Sequence, residues 1–248
     1  MDISVIIPVY NSKASLPIVL DQIQDFFKNA SKVWEYEVIF VNDHSDQETC
    51  EVLEQLKKTS AGKPPLVLHM RKNVGQQMAI CHGLRHATGT YVLTMDDDLQ
   101  HDIADLETLF LHAELGSDLV FGVYAEHGDD KTRSMGSKLV GKFFEYRFKK
   151  LNGCRVSSYR LIHQSLYNKV DVSNQSFVYL SAELIPYAKK ISNVTIQRLK
   201  RPYGNSGYTF FKCIKIALKL ILNYGFLASN LRTKGESFSE KVVDRRCG

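Results

Sequence analysis

The first half of this 248-residue chain alternates short apolar runs with segments of helical periodicity, and this alternation limits the possible folds most. The apolar runs are rich in β-branched side chains and lie at residues 3–9, 37–41, 66–70, 91–95 and 118–123. Apolar residues recur at helical spacing over 15–30, 48–58, 75–86 and 103–114. Short links between alternating strands and helices predict an α/β fold, a Rossmann-like, mostly parallel sheet with helices on both faces.

The second half is patterned differently, and its longest predicted helix, over 208–227, is basic and amphipathic. Lys212, Lys215 and Lys219 form one stripe of that helix, and apolar side chains cover much of the rest. Such a helix suits an anionic membrane surface, or it packs on the core with a solvated lysine stripe; the pattern favours neither. The other predicted elements are helices over 133–151 and 175–190, a strand over 193–201, and a strand or loop over 154–163.

Charge is divided unevenly along the chain, and this division bears on the class of partner. Residues 1–128 hold 9 Lys and Arg against 19 Asp and Glu, whereas residues 129–248 hold 23 against 8. A basic half is compatible with nucleic acid, but no nucleic-acid-binding motif is present, and the cations are not interleaved with aromatic stacking residues. The uneven charge therefore suggests different partners for the two halves of the chain.

Cysteine usage and apolar run lengths exclude several other classes. The five cysteines are odd in number, lie far apart and form no C-x-x-C pair, which argues against a disulfide framework or a zinc site. A reducing, cytoplasmic compartment is the expectation. No stretch of about 18 uncharged apolar residues occurs, so no membrane-spanning helix is predicted.

The most informative short motif is Asp96-Asp97-Asp98, which directly follows the run at 91–95. Two carboxylates separated by one residue at a strand end can share a hard divalent cation such as Mg²⁺ or Mn²⁺. Asp96 and Asp98 have this spacing, whereas strand geometry would turn Asp97 away. A solvated acidic turn or a helix cap is the alternative. Three adjacent like charges after a buried strand favour a metal site at Asp96 and Asp98.

Polar residues also follow the first two strands, where open α/β sheets bind ligands at the carboxyl edge. Tyr10 and Asn11 end the first strand. Asp43 ends the second, and its carboxylate could accept a hydrogen bond from a nucleobase; a turn-forming role is the alternative. We expect these side chains to converge with the acidic motif.

Two further segments have the composition of phosphate-binding loops. Residues 71–77 open a helix, where backbone N–H groups suit phosphate, and ordinary capping by Asn73 is the alternative. Residues 201–208 combine Arg201, which could stabilise a leaving diphosphate, with two glycines, and a flexible turn is the alternative. The candidate residues of the first segment are Arg71, Gly75 and Gln76.

In this order, the motifs resemble those of family 2 glycosyltransferases of the GT-A fold. The matching segments are SVIIPVYNS (4–12), VIFVNDHSD (38–46), RKNVGQQMAICHGLRHATGTYVLTMDDDLQHD (71–102), SSYRLI (157–162) and RPYGNSGYT (201–209). They span almost the whole chain, and the subgroup they most resemble is the bacterial polyprenyl-phosphate sugar synthases, relatives of dolichyl-phosphate mannose synthase. Ser12 departs from the pattern, since a Glu often stands there, and the transmembrane helices of many such synthases have no counterpart.

The resemblance implies roles for individual residues. Pro8, Tyr10 and Asp43 would line the nucleobase and ribose site, and Asp96 and Asp98 would hold the metal and the diphosphate. The residues implied in catalysis are Asp98, Gln100 near the sugar or acceptor phosphate, Arg133, and Arg201 in a loop that closes over the diphosphate. The residues implied in substrate binding are Pro8, Tyr10, Asn11, Asp43, Arg71, Gly75, Gln76, Asp96, Ser137 beside Arg133 at the acceptor phosphate, Arg160 of the S-S-Y-R segment, and Ser206.

The resemblance further implies an inverting, metal-dependent glycosyltransferase with Mg²⁺ or Mn²⁺ as cofactor. It would move a sugar from a nucleoside diphosphate, with UDP favoured, to a polyprenyl phosphate at the cytoplasmic face of the inner membrane. The alternatives are transfer to a hydroxyl of a lipid-linked glycan or polysaccharide and, from a different class, a non-catalytic or nucleic-acid-binding module. The expected domains are a catalytic domain over 1–207, with a donor half at 1–124 and an acceptor half at 125–207, and the basic helix and tail over 208–248.

Overall fold

A computed structural model confirms the mostly parallel α/β sheet with helices on both faces. It describes residues 2–30, 32–59, 62–125, 135–173, 175, 177–200, 202 and 210–225. The strands are β1 (Ile3–Val9), β2 (Tyr36–Asn42), β3 (Leu66–His69), β4 (Tyr91–Thr94), β5 (Leu119–Tyr124), β6 (Arg160–His163) and β7 (Ile191–Ile196). The helices are α1 (Leu16–Asn29), α2 (Gln47–Thr59), α3 (Gln76–Leu84), α4 (Asp105–Glu114), α5 (Met135–Arg147), α6 (Gln164–Tyr167), α7 (Leu180–Leu184) and α8 (Phe210–Tyr224), with a short 3₁₀ helix at Lys149–Leu151.

The strand order in the sheet is β3-β2-β1-β4-β6-β5-β7, and β6 alone runs antiparallel to its neighbours within the described chain. Thr94, the last residue of β4, pairs with Arg160, the first residue of β6. The residues that precede β6 therefore lie at the same edge as the residues that follow β1, β2 and β4. This arrangement brings a segment of the second half of the chain to the edge where ligands bind in such sheets.

The core is divided between the two faces of the sheet. Helices α1, α2 and α4 pack on one face, where they meet strand residues such as Val5 and Phe40. Helices α3, α5, α7 and α8 cover the other face, where Ile6 and Ile39 point. Because the parallel strands are buried on both faces, their sequences are continuous apolar runs, which is the pattern from which they were predicted.

A glycine allows α3 to lie close to the sheet. A Cβ at Gly83 would come within 2.7 Å of Cγ2 of Ile6 and 3.0 Å of Cγ2 of Val41, so any larger residue would push the helix outward. Since α3 begins at Gln76, beside the carboxyl edge of the sheet, this close packing also fixes the residues at its start.

The predicted helix over 175–190 is wrong in extent. Only α7 is helical there, with five residues, and Tyr179 before it has an extended backbone with φ −129° and ψ 102°. Pro186 lies two residues beyond the helix, in keeping with its early end. Apolar side chains of this segment are buried without a single stripe, so their spacing suggested a longer helix than the chain forms.

The C-terminal helix α8 is confirmed, and it packs on α5 with one face. Ala217, Leu220 and Tyr224 are buried, and Nε of Arg147 donates a 2.6 Å hydrogen bond to the carbonyl oxygen of Tyr224. Its outer face exposes Leu218 and Leu222 beside Lys219. Among the described residues, no helix combines the length and apolar character needed to cross a bilayer.

Candidate active site

The three acids lie in the turn that follows β4, at the carboxyl edge of the sheet. The turn continues through Leu99, which is buried and has a left-handed backbone with φ 60°. A branched side chain rarely adopts this conformation, which costs roughly 1–2 kcal/mol per residue. The turn it makes allows the Oδ1 atom of Asp98 to accept a hydrogen bond from the N–H of Gln100 at 3.1 Å. The local strain thus lies beside the carboxylates.

Asp96 is held by side chains from two other elements. Its Oδ1 accepts a hydrogen bond from the amide of Gln76, at the start of α3, and its Oδ2 accepts one from the hydroxyl of Ser158 at 3.0 Å. Burial raises the pKa of Asp96, and the neighbouring Asp98 carboxylate raises it further. Gln76 is therefore at the site, as predicted, but it contacts Asp96 within the protein. Ser158 was not predicted individually, although it lies in the S-S-Y-R segment.

The Asp97 side chain contacts a different element from the Asp96 side chain, as strand geometry predicts. Its carboxylate accepts a hydrogen bond from the hydroxyl of Ser12, in the loop after β1. Burial, and then the charges of Asp96 and Asp98, raises the pKa of Asp97 to about 6. Ser12 therefore joins the β1 loop to the acidic turn.

The donor set at Asp96 and Asp98 fits a hard divalent cation. The two carboxylates are half-buried near each other and near a third acid, so a cation bound between them would relieve their mutual repulsion. In the described part of the chain, no cluster of three or more His, Cys, Asp or Glu side chains could hold a metal ion. Two carboxylates, completed by water and substrate phosphates, are how Mg²⁺ is usually bound.

Arg160 is not at the surface of the site but behind it. It is 1% exposed, its Nε donates to the Thr94 hydroxyl at 3.2 Å, and its Nη1 donates to the Ser181 hydroxyl at 2.6 Å. Its charge lowers the pKa of Asp96, opposing the larger effect of burial. The structure thus places the predicted substrate-binding arginine as an internal countercharge to the acids.

Asp43 is buried and closes the loop between β3 and α3. Its Oδ1 accepts the N–H of Val74 at 2.7 Å, and its Oδ2 accepts the N–H of Gly75 at 2.8 Å. Gly75 has φ 87°, a conformation that favours glycine. These two N–H groups, predicted to bind phosphate, are therefore engaged by Asp43. Burial nevertheless raises the pKa of Asp43.

The other predicted donor-site residues lie around this edge. Pro8 is buried in β1, whereas the Tyr10 side chain is 56% exposed beyond it, and Arg71 is exposed after β3. Asn11, with φ 53°, accepts the N–H of Asp46 through its side chain at 2.8 Å, joining the first two loops. Tyr10 and Arg71 thus present side chains to solvent, while Asn11 is used in part to shape the edge.

Gln100 joins the acidic turn to the segment after β7. Its carbonyl oxygen accepts the N–H of Leu199 at 3.1 Å, and its Nε2 donates to the carbonyl oxygen of Leu199 at 3.5 Å. The predicted residues Arg133, Arg201 and Ser206 lie outside the described residues, as does the side chain of Ser137, whose backbone is in α5.

A cleft of about 840 Å³ extends from Asp96 to helices α5 and α8. Its wall contains the basic residues Lys142, Lys149, Arg155 and Arg198. Its apolar lining includes Val140, Phe144, Phe148, Val156 and Ile216. Arg155 is partly committed to the fold, since its Nη2 donates to the carbonyl oxygen of Tyr124 at 2.8 Å. The cleft therefore joins an acidic end to a wall that is both cationic and apolar.

Comparison with known proteins connects this geometry to a family. Residues 4–171 match the profile of the family described as Glycosyl transferase family 2. The chain is 27% identical over 223 residues to an undecaprenyl-phosphate 4-deoxy-4-formamido-L-arabinose transferase of Pectobacterium carotovorum, which covers 89% of this chain and 66% of that protein. The chain thus spans less than two thirds of the length of this curated relative.

Solved structures share the fold at low sequence identity. Glucosyl-3-phosphoglycerate synthase from Mycobacterium tuberculosis, in complex with Mn²⁺, UDP-glucose and phosphoglyceric acid, superposes with a TM-score of 0.63 at 15% identity, covering 93% of this chain and 80% of that one. TarS 1-349 of S. aureus, in complex with UDP-GlcNAc, superposes with a TM-score of 0.58 at 19% identity, covering 93% and 69%. Both likenesses concern the fold.

Proposed function

The chain belongs to glycosyl transferase family 2, and we propose that it transfers a sugar from a nucleoside diphosphate to the phosphate of a polyprenyl lipid. The observation that carries this proposal is the cleft, in which the carboxylate of Asp96 faces a wall of cations and apolar side chains. A nucleotide sugar carries a negatively charged diphosphate, so it can bind beside the Asp96 carboxylate only when a divalent cation lies between them. A lipid phosphate suits the other wall, because its head is anionic and its tail is apolar.

The donor end is built from the loops after β1, β2 and β4. Asp96 and Asp98 would hold Mg²⁺ or Mn²⁺, which when bound neutralises charge on the leaving diphosphate. Tyr10 is exposed at the same edge and offers a ring to the nucleobase. A solved structure of the same fold contains Mn²⁺ with UDP-glucose, and UDP is the nucleotide that we propose here.

The residues at the acceptor end support a phosphate acceptor over a hydroxyl acceptor. A phosphate is already anionic and attacks without a general base, whereas a hydroxyl needs a carboxylate near its proton. Among the described residues that line the cleft, Asp96 and Glu145 are the acids, and Asp96 has the metal role. Glu145 is exposed on α5, so it is the residue that would serve a hydroxyl acceptor, such as a lipid-linked glycan.

The donor proposal is tested by thermal shift with UDP, GDP and TDP in the presence of Mn²⁺. At a UDP concentration of 100 times Kd, binding stabilises the protein by about 2.7 kcal/mol, a rise in Tm of roughly 5–10 °C for a domain of this size. We expect EDTA to abolish the shift. If no nucleoside diphosphate raises Tm with Mn²⁺, the proposed function is wrong.

The acceptor is then identified by transfer of labelled sugar to undecaprenyl phosphate, with a lipid-linked glycan as the competing acceptor. Product on the lipid phosphate supports the proposal, and the Glu145→Gln variant should retain that activity. Product on the glycan alone, with a loss of about 10² or more in Glu145→Gln, would establish the hydroxyl alternative instead.

We also propose that the outer face of α8 contacts an anionic membrane surface, where such a lipid acceptor is found. Leu218, Ile221 and Leu222 are 56%, 50% and 57% exposed, and Lys215 and Lys219 are exposed beside them. Each Lys or Arg near an anionic surface contributes about 1 kcal/mol. The apolar side chains would insert at the headgroup boundary, as in interfacial helices.

Vesicle flotation tests this surface. The double substitution Leu218→Gln and Leu222→Gln should weaken binding to vesicles that contain anionic lipid by at least about tenfold. The reason is that two apolar side chains that would insert into the membrane are lost. Leu111→Gln, at a leucine 58% exposed on α4, is the matched control and should bind as the wild type does. Equal flotation of the double variant and the control would contradict the proposal.

A further inference from the structure

We propose that Arg198 is a phosphate-binding residue of the cleft, held in place by a stack of three aromatic rings. The inference rests on the proposed function, since the phosphate would belong to the donor diphosphate or to the acceptor. Arg198 lies two residues after β7 and lines the same cleft as Asp96. The sequence motifs pointed instead to Arg201, three residues later.

The stack begins at the cleft and ends in the core. The Cζ atom of Arg198 lies 4.2 Å from the centroid of the Tyr124 ring. Tyr124 stacks on His101, with ring centroids 5.6 Å apart and planes 4° from parallel. His101 stacks on Tyr159, at 4.7 Å and 15°. Tyr159 is fully buried and its hydroxyl donates to the carbonyl oxygen of Asp102 at 3.0 Å, so the innermost ring is fixed.

Hydrogen bonds join this stack to the acidic turn. The N–H of Asp96 lies 3.4 Å from Nδ1 of His101, the second ring of the stack. Gln100, which precedes His101, bonds Leu199 in both directions, as described above, and its carbonyl oxygen also accepts the Tyr124 hydroxyl at 3.5 Å. The backbone beside Arg198 is therefore held against the turn that carries the proposed metal ligands.

The chemistry of the guanidinium favours an oxyanion as its ligand. The guanidinium lies over the Tyr124 ring and also contacts the Tyr124 hydroxyl, which orients it. The edge of a guanidinium carries several N–H donors, and phosphate oxygens can accept two parallel bonds from them. Arg198 is exposed, and within the described residues no carboxylate lies within ion-pair distance of it. Arg155, the other arginine of the wall, already donates to a backbone carbonyl. Arg198 is thus a pre-oriented cation without an acidic partner in the described chain.

The test compares Arg198→Ala and Arg198→Lys with Lys189→Ala, which removes an exposed cation just before the other end of β7. One arm measures the Kd of UDP with Mn²⁺, and the other measures KM for undecaprenyl phosphate. We expect Arg198→Ala to raise one of these constants by about 10- to 100-fold, the size of a charge-assisted pair of hydrogen bonds. The affected arm identifies the phosphate. The increase for Arg198→Lys should be intermediate, because lysine keeps the positive charge but cannot donate two parallel hydrogen bonds.

The stack is tested separately from the charge. Tyr124→Leu should raise the same constant by several-fold. Tyr124→Phe, which keeps the ring but loses the hydroxyl that bonds Gln100, should raise it less. Unchanged constants in both arms for Arg198→Ala, with the wild type binding UDP and transferring sugar, would overturn this inference alone. A wild type that binds no nucleoside diphosphate and transfers no sugar would overturn the proposed function, and this inference with it.

Discussion

The Asp98→Asn variant should transfer sugar about 10³-fold more slowly than the wild type at saturating Mn²⁺. The substitution keeps the shape of the side chain and leaves an oxygen to accept the N–H of Gln100, so the turn should be preserved. It removes one of the two negative charges that would hold the cation. The measurement is kcat for transfer, with Tm and the affinity for UDP with Mn²⁺ followed in parallel.

The matched control for this prediction is Asp102→Asn. Asp102 is an exposed acid four residues later, and its carboxylate accepts the N–H of Ala104 at 3.0 Å, outside the proposed metal site. The same change of charge there should leave kcat within about twofold of the wild type, since surface substitutions away from special features have small effects. Full activity of Asp98→Asn would show that Asp98 is not a ligand of the catalytic metal.

Replacing Asp43 by Ala should lower the free energy of unfolding by about 2–4 kcal/mol, or Tm by roughly 5–15 °C. The reason is that the N–H groups of Val74 and Gly75, in a partly buried loop, would lose their acceptors. Thermal unfolding without nucleotide measures the effect. Asp21→Ala, at an exposed position of α1, is the control and should change stability by less than about 0.5 kcal/mol.

This experiment also separates the two roles open to Asp43. If the carboxylate mainly contacts the nucleobase, as its position at the end of a strand suggested, Asp43→Ala would weaken UDP binding and leave Tm unchanged. If it mainly closes the loop, as the two hydrogen bonds indicate, Tm falls even without nucleotide. A variant with wild-type Tm would therefore contradict the structural role argued here.

The sheet could be predicted because its information is local. Runs such as 3–9 and 37–41 are buried on both faces, and their composition alone separates them from the helices. The short helix α7 could not be predicted in the same way. Its apolar residues pack against several elements at once, so their spacing does not describe one helical face.

The candidate site likewise has a part that local sequence predicts and a part that it does not. Asp96, Asp98 and Asp43 could be predicted as candidates because each lies shortly after a strand, and the sequence alone indicates that strand ends meet. The hydrogen bond of Ser158 to Asp96 spans 62 residues, and it depends on the antiparallel direction of β6, which no local pattern encodes. The stacking of Arg198 on Tyr124 is equally non-local. The acidic motif could thus be recognised from the sequence, whereas the side chains that contact it could be found only from the structure.

The position of β6 between β4 and β5 also determines when the donor site can form during synthesis. Strand β5 is made before β6 and β7, its neighbours in the sheet, so it leaves the ribosome with no strand to pair with. The four parallel strands β1 to β4 can assemble first, because they pair with one another and all four are made before β5. Long-range pairing of this kind is slow and exposes apolar surface. Since Ser158 reaches Asp96 only when β6 pairs with β4, a nascent chain cannot hold the donor site in its final form until β6 has emerged.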